Sequence, residues 1–256
     1  MTQATAAPCL IVMGPFRSGT SLVSRIVSEL GVDFGPPAGF QLPADRYNPG
    51  GYFQRRDVVE SNRKLVEASS PSIAAPNHPT VIQDRAGLAF RPDVDFTWVR
   101  PGRPWGMKDP RFSVTLHTWI RAGVLDARSL RIVRVRRRLD AVAKSCVQHP
   151  EVGSFCDHDP GRTLAMVETY DRFAAWHAEQ TGLPAYVVEF ERLIAEPSQA
   201  IQSLAEFIAP GQPDRARRCV ALVGKRRTLV AHYLKKLTQP ALLIETVRKT
   251  LGQRRP

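Results

Sequence analysis

The chain has 256 residues, 43% of them apolar and 23% charged, which is enough to bury one sizeable core and too apolar for a disordered polymer. Thirty-six Lys and Arg against 24 Asp and Glu leave a formal net charge of +12, a field that attracts polyanions while most single residues serve as solvated surface. No stretch approaches the roughly 20 apolar residues of a membrane helix, and the N-terminal segment lacks the basic start and long apolar run of a secretory leader. A cytoplasmic setting with at most peripheral membrane contact is expected.

Pro8 to Met13 is a short apolar run that predicts a buried parallel strand, with Cys9 as a small buried thiol inside it. Cys9, Cys146, Cys156 and Cys219 show no zinc-site spacing, and a chain of this length needs no disulfide scaffold, so a reducing compartment is the natural setting. A glycine-containing turn follows the strand. From Ser21 to Leu30, Leu22, Ile26 and Leu30 recur at helical spacing, and Gly31 closes the helix. Residues 35–56 are rich in Gly and Pro and read as a loop beside the ligand. Asp57 to Ala68 predicts a helix with Val58, Val59, Leu65 and Val66 on its inner side, whereas the proline-containing stretch 70–103 predicts no regular element.

A second strand is expected at Trp105–Lys108, turning at Asp109-Pro110 into a helix that carries Leu116, Trp119 and Ile120. A third strand, Leu130–Arg136, runs into a helix from about Leu139 to Gln148. Thr163 to Gln180 predicts an amphipathic helix with Met166, Val167, Tyr170, Phe173, Ala174 and His177 on one stripe. Ala185–Phe190 is the fourth strand. A helix near Ala200–Ile208 and a basic helical tail from about residue 211 complete the chain. Beyond residue 210, twelve Lys and Arg face only Asp214 and Glu245. There is no internal repeat. Strands alternating with helices predict a single α/β domain over 1–256, a P-loop-like parallel sheet flanked by helices, with ligands at the carboxyl ends of the strands.

The most informative segment is Gly14-Pro15-Phe16-Arg17-Ser18-Gly19-Thr20-Ser21, at the strand-to-helix turn where a phosphate loop belongs. Glycines allow the tight turn, and free backbone amides at a helix N-terminus favour an anion. The spacing is G-x-x-x-x-G-x-S, but Thr20 occupies the place of the Walker lysine, and the nearest cation is Arg17. A magnesium triphosphate would be poorly neutralised there. Arg17, Ser18, Gly19, Thr20 and Ser21 are the candidate anion ligands.

Arg17-Ser18-Gly19-Thr20-Ser21 resembles the 5′-phosphosulfate loop of the sulfotransferases that use 3′-phosphoadenosine 5′-phosphosulfate (PAPS), usually P-[KR]-S-G-T-[ST]. Phe16 stands where that family usually has proline, and Pro15 lies one residue earlier. The family also grips the 3′-phosphate with an Arg after a central strand and a Ser eight residues on. Arg137 and Ser145 have that spacing, with Arg136 as the alternative occupant and Leu139 where proline is common. Three further segments resemble the bacterial-type branch. Asn48-Pro49-Gly50-Gly51-Tyr52-Phe53-Gln54 is similar to N-x-x-G-[YF]-[FW]-E, with Gln54 replacing the acid. Trp105-Gly106-Met107-Lys108-Asp109-Pro110-Arg111 is similar to W-x-x-K-D-P-R, and Phe190-Glu191-Arg192-Leu193 to Y-E-x-L. The similarity spans roughly residues 9–230, leaving the stretch 70–103 and the basic tail uncovered.

The resemblance implies transfer of a sulfonate from PAPS, as co-substrate, to an acceptor hydroxyl or amine, releasing adenosine 3′,5′-bisphosphate. Positioning and electrostatics would dominate, as in phosphoryl transfer, and no metal is expected. Arg17 would stabilise charge on the phosphosulfate bridge, and Lys108 is the second candidate cation. Asp109 is the candidate general base. His117 reads as a core or surface histidine, and His78 lies in the stretch without assigned structure. Tyr52, Phe53 and Trp105 would stack on adenine, line an acceptor pocket or simply pack. The acceptor is a sugar, lipid, glycopeptide, phenol or alcohol, and an acidic one would suit the charge. Two alternatives remain. A P-loop kinase would need ATP and Mg²⁺, which Thr20 opposes; a basic module would rest on the tail from Arg215 to Arg255. No RNA-binding signature accompanies those charges, so nucleic acid is not expected.

Overall fold

Four parallel strands, β1 (Cys9–Met13), β2 (Trp105–Lys108), β3 (Leu130–Arg136) and β4 (Ala185–Glu189), pair in the order β2-β1-β3-β4. The computed structural model describes residues 8–45, 48, 50–211 and 213–223. Parallel neighbours require crossovers, and helices supply them: α1 (Thr20–Glu29), α2 (Arg56–Ser69), α3 (Pro79–Ala86) and α4 (Phe112–Arg121) come first. They are followed by α5 (Leu139–Val147), α6 (Pro150–Ser154), α7 (Pro160–Gln180), α8 (Phe190–Ala195) and α9 (Pro197–Ile208). Residues 213–223 are also helical. The basic residues from Lys225 to Arg255 lie outside the described residues. Among the described residues, no helix is long and apolar enough to cross a membrane.

The apolar run at β1 is continuous because both faces of the sheet are covered. Leu10, Val12, Val133 and Val135 face α1 and α9, where Val23, Ile26, Val27, Ile201 and Leu204 are buried. Cys9, Ile11, Met13, Met107 and Ile132 face the other way, onto Phe112, Leu116 and Trp119 of α4. A third cluster gathers α5 and α7 around Phe16, through Val142, Cys146, Met166 and Tyr170. Strand alternation therefore assigns each β1 side chain to one of two cores. Burial raises the Cys9 thiol well above its ordinary range, as befits an inert core residue.

The expected strands and long helices form where periodicity placed them. All six residues of the stripe on α7 are buried. That helix begins three residues earlier than expected, because Asp159 caps it by accepting from the Arg162 amide at 2.7 Å and Pro160 fits its first turn. Helix α3 stands in the stretch for which no regular element was expected. Its start signal is His78-Pro79: the imidazole accepts from the Thr80 amide, and the proline takes the first helical position. Only Pro79 and Ile82 of its eight residues are buried, too few to produce an amphipathic pattern. The short helices α6 and α8 were also missed, since one or two turns carry little periodicity.

Candidate active site

The turn between β1 and α1 needs its glycines for space as well as for dihedral freedom. Gly14 has φ 146° and Gly19 φ 106°. A Cβ at Gly14 would collide with the Val135 carbonyl oxygen, and one at Gly19 with the Phe190 ring. Arg17 takes φ 66°, the left-handed region that costs a side-chain-bearing residue about 1–3 kcal/mol. Two contacts hold it there: Arg137 Nη1 donates to the Arg17 carbonyl at 3.1 Å, and Arg17 Nε donates to Ser145 Oγ at 3.4 Å. The loop conformation is thus over-determined from α5 and from the end of β3.

Phe16, the departure from the usual proline, is 7% exposed and serves as the loop's anchor. Its ring packs edge-on against Phe155 and Tyr170, with centroids 5.7 and 5.1 Å away, and the Arg111 guanidinium lies 5.2 Å above it. Phe190, at the start of α8, fills the space beside Gly19 and carries the Arg137 guanidinium 4.7 Å from its centroid. Both aromatics act from beneath. They set where the cations stand.

Above the loop a cleft is lined by Arg17, Gly19, Thr20, Ser21, Lys108, Arg111, Arg137 and Ser145, and on its far side by Tyr52, Gln54, His149 and Glu151. Five of the six residues expected to face the nucleotide from the turn and α5 side, namely Arg17, Gly19, Thr20, Ser21 and Ser145, meet there together with Arg137. Ser18 does not. Its side chain is fully buried under the turn, its Oγ has no hydrogen-bond partner among the described residues, and its amide donates to the Pro15 carbonyl at 3.2 Å. Of the two candidate arginines, Arg137 lines the cleft while Arg136 points to the surface and pairs with Glu189 at 3.3 Å. Gly19, Thr20 and Ser21, at the start of α1, line the same space, and no side chain among the described residues caps that helix N-terminus.

Lys108 ends β2, one register position from the end of β1, opposite Val12. It is 3% exposed, and its Nζ donates to Gln54 Oε1 at 3.0 Å and Ser21 Oγ at 3.4 Å. Burial pulls its ammonium down to about 7, helped by Arg17 and Arg111 and opposed by Asp109. Gln54 is neutral, so this hydrogen-bond partner brings the ammonium no negative charge. A buried cation faces other cations across the cleft.

Asp109 is fully buried and does not line the cleft. Its Oδ1 accepts from the Arg111 amide and Nη1, at 3.0 and 3.1 Å, and its Oδ2 from Asn62 Nδ2 at 3.1 Å. Asn62, on α2, in turn accepts from Thr115 Oγ1 at 2.7 Å and Trp119 Nε1 at 2.8 Å. This network ties the turn after β2 to α2 and α4. A single polar position inside an apolar helix face was the only sequence signal for Asn62.

Glu151 and His149 line the cleft without having been singled out for chemistry in the sequence, and neither was Asp45, the partner of Tyr52. Tyr52 donates to both Asp45 oxygens, at 2.9 and 3.0 Å; burial, then this bond, push its hydroxyl up to about 12. His149 caps α6 by accepting from the Val152 amide at Nδ1, 3.3 Å away, and burial, reinforced by Arg17, lowers its imidazole below the ordinary range. Their signal was the short Gln148-His149-Pro150-Glu151 helix start. His78 and His117 lie elsewhere, stacked edge-on against Trp176 beside α7. There His177 accepts from the His117 amide at 3.1 Å and is held down to about 4 by burial. Trp105 packs against Phe96 and Trp98, and Phe53 against Phe34 and Phe40.

No family model matches the sequence, and no curated protein does. Among solved structures, the chain is similar to sulfotransferase STF1 from Mycobacterium tuberculosis H37Rv, with a TM-score of 0.49 and 14% identity over 84% of this chain and 71% of that one. Sulfotransferase STF9 from Mycobacterium avium matches with a TM-score of 0.46 and 14% identity, covering 84% and 68% of the two chains. The sulfotransferase domain of the Synechococcus PCC 7002 olefin synthase matches with a TM-score of 0.44 and 18% identity, covering 81% and 76%. On its own strand order and its own turn, the chain is an α/β protein of P-loop-like architecture with a cation-lined cleft at the carboxyl ends of β1, β2 and β3.

Proposed function

We propose that the chain transfers a sulfonate group from PAPS to an acceptor hydroxyl or amine. One observation carries this reading: a phosphate-loop turn without its lysine opens on a cleft shared by Arg17, Lys108, Arg111 and Arg137, with Glu151 the one carboxylate that lines it among the described residues. Such a donor set fits a nucleotide with phosphate at both ends of its ribose. It spreads cations across the cleft instead of concentrating one lysine at a β,γ-bridge.

The donor, when bound, supplies the activated sulfur–oxygen bond. As the bond from sulfur to the acceptor oxygen or nitrogen formed and the bridging S–O bond to the 5′-phosphate broke, the negative charge left on the bridging oxygen would be stabilised by Arg17 and Lys108. Thr20 and Ser21 with the α1 amides hold the 5′-phosphate. Arg137 and Ser145 hold the 3′-phosphate. Asp109 orients Arg111 and the turn instead of moving a proton, because both of its oxygens already accept hydrogen bonds. The acceptor's proton goes to Glu151. Tyr52 is committed to Asp45 and His149 Nδ1 to the Val152 amide, whereas the Glu151 carboxylate is exposed at the cleft. Glu151→Gln is expected to lower kcat by roughly 10²-fold or more while bisphosphate affinity changes little; an unchanged kcat would move the base elsewhere.

Calorimetric titration tests the nucleotide class. Adenosine 3′,5′-bisphosphate is expected to bind in the micromolar range and ATP-Mg at least about 100-fold more weakly. The opposite preference would replace sulfonyl transfer with a kinase. The same titration has a pH signature. In the free protein Lys108 is charged below about 7 and neutral above it, and a bound anion raises its pKa. Binding above pH 7 therefore takes up a proton, and affinity falls by up to about tenfold per pH unit between pH 7 and 9. In Lys108→Met that slope flattens.

A further inference from the structure

A groove of about 740 Å³ lies beyond one wall of the cleft, between α2 and the segment that follows α3. The wall is a single antiparallel bridge, Phe40 with Arg55, extended by the Gln41 amide donating to the Gln54 carbonyl at 2.7 Å. Gln41 and Gln54 face the cleft, and Gly39 and Arg55 face the groove. Lys108 donates to the Gln54 side chain, and the next residue along the wall, Arg55, lines the groove.

The groove's volume suits a small organic molecule, and its surface combines carbon with positive charge. Leu65, Ala68, Ala89 and Phe90 contribute the apolar part. Arg56, Arg85 and Arg91 contribute cations that have no carboxylate partner among the described residues. Arg85 donates to the Ser69 carbonyl, and Arg91 to those of Leu88 and Phe90. The local acids Asp57 and Glu60 are already paired, with Arg55 and Arg63, at 2.7 Å each, which leaves Asp93 as the remaining acid on the rim. In the wall itself Arg55 is 6% exposed, with an Nη1 that has no hydrogen-bond partner among the described residues.

We propose that this groove holds the body of the acceptor, and that the acceptor is an anionic amphiphile. Its carbon-rich body would cover Leu65 and Phe90, one acidic group would meet the uncompensated guanidiniums, and its reacting hydroxyl would reach over Gln54 to Lys108. This rests on the sulfonyl-transfer reading for the identity of the occupant. The chemistry that selects it comes from the groove alone. Apolar contact contributes in proportion to area buried, and a guanidinium that meets a carboxylate out of bulk water forms a charge-assisted, bidentate bond.

The test is calorimetry on the full chain with three probes: 6-hydroxy-2-naphthoate, 2-naphthol and 4-hydroxybutyrate. The naphthoate has the apolar body, the acid and the hydroxyl; 2-naphthol lacks the acid, and hydroxybutyrate the apolar body. The naphthoate is expected to bind at least about tenfold more tightly than either of the others, an increment of about 1.4 kcal/mol or more. Ala89→Trp, at an exposed position where the indole fills the groove without disturbing the core, and Arg91→Glu should each weaken it by a similar factor. Saturating adenosine 3′,5′-bisphosphate should leave its binding intact, since the two sites are adjacent and separate. Naphthoate affinity unchanged in both variants, equal affinity for 2-naphthol, or displacement by the bisphosphate would each overturn the assignment. Failure of the bisphosphate to bind wild-type protein would remove the sulfonyl-transfer reading and the acceptor role with it. The three-probe ranking would still report separately on whether the groove selects anionic amphiphiles.

Discussion

Arg17→Ala is expected to lower turnover by roughly 10²–10³-fold, the usual consequence of deleting one preorganised donor aimed at developing charge. The loss should appear in kcat more than in KM, because the charge that Arg17 stabilises exists mainly in the transition state. The fold should survive. Arg17 sits at the cleft surface, and the loop's anchors are Phe16, packed on Tyr170, and the glycines pressed against Val135 and Phe190. Circular dichroism of the variant should therefore match wild type. Arg17→Lys keeps the charge but loses the fork that reaches Ser145, so partial activity is the expected result. Full turnover in Arg17→Ala would mean that the turn at 14–21 does not hold the reacting group.

Arg137→Ala is expected to weaken adenosine 3′,5′-bisphosphate by roughly 10–100-fold, the range for removing a hydrogen bond to a charged group. Adenosine 5′-phosphate, which lacks the 3′-phosphate, should lose far less. The comparison of the two ligands matters because Arg137 also donates to the Arg17 carbonyl and rests on Phe190. A loosened loop would weaken both ligands equally, and an equal loss would remove Arg137 from the 3′-phosphate. Arg136→Ala serves as the internal control: its side chain is paired with Glu189 at the surface, and its removal should leave both affinities near wild type.

Much of this architecture is legible in the sequence. The strand at 9–13 is an unbroken apolar run, and the helix at 160–180 repeats its apolar positions at a spacing that only a helix satisfies. The turn between Gly14 and Ser21 announced itself by glycine spacing and by the absence of a lysine. Less legible were elements whose signal is a cap, such as α3 behind His78-Pro79, because a few capping residues resemble any loop. Phe16 looked like a departure from a motif until its ring was seen under Arg111 and against Tyr170.

The amino-acid order by itself determined the succession of strands and helices and the place of the glycine-containing turn after β1, since periodicity and turn chemistry act over a few neighbouring residues. Only the tertiary structure decided which side chains face the cleft. Asp109 was turned inward by Asn62 and Arg111, Arg137 was chosen over Arg136 by the end of β3, and Glu151 was brought in by a short helix after α5. Lys108 owes its lowered pKa to burial beside Arg17 and Arg111, and Arg17 lies 91 positions away in the sequence. Burial and charge–charge contact depend on distance in space, and distance in space between remote segments exists only once the chain has folded.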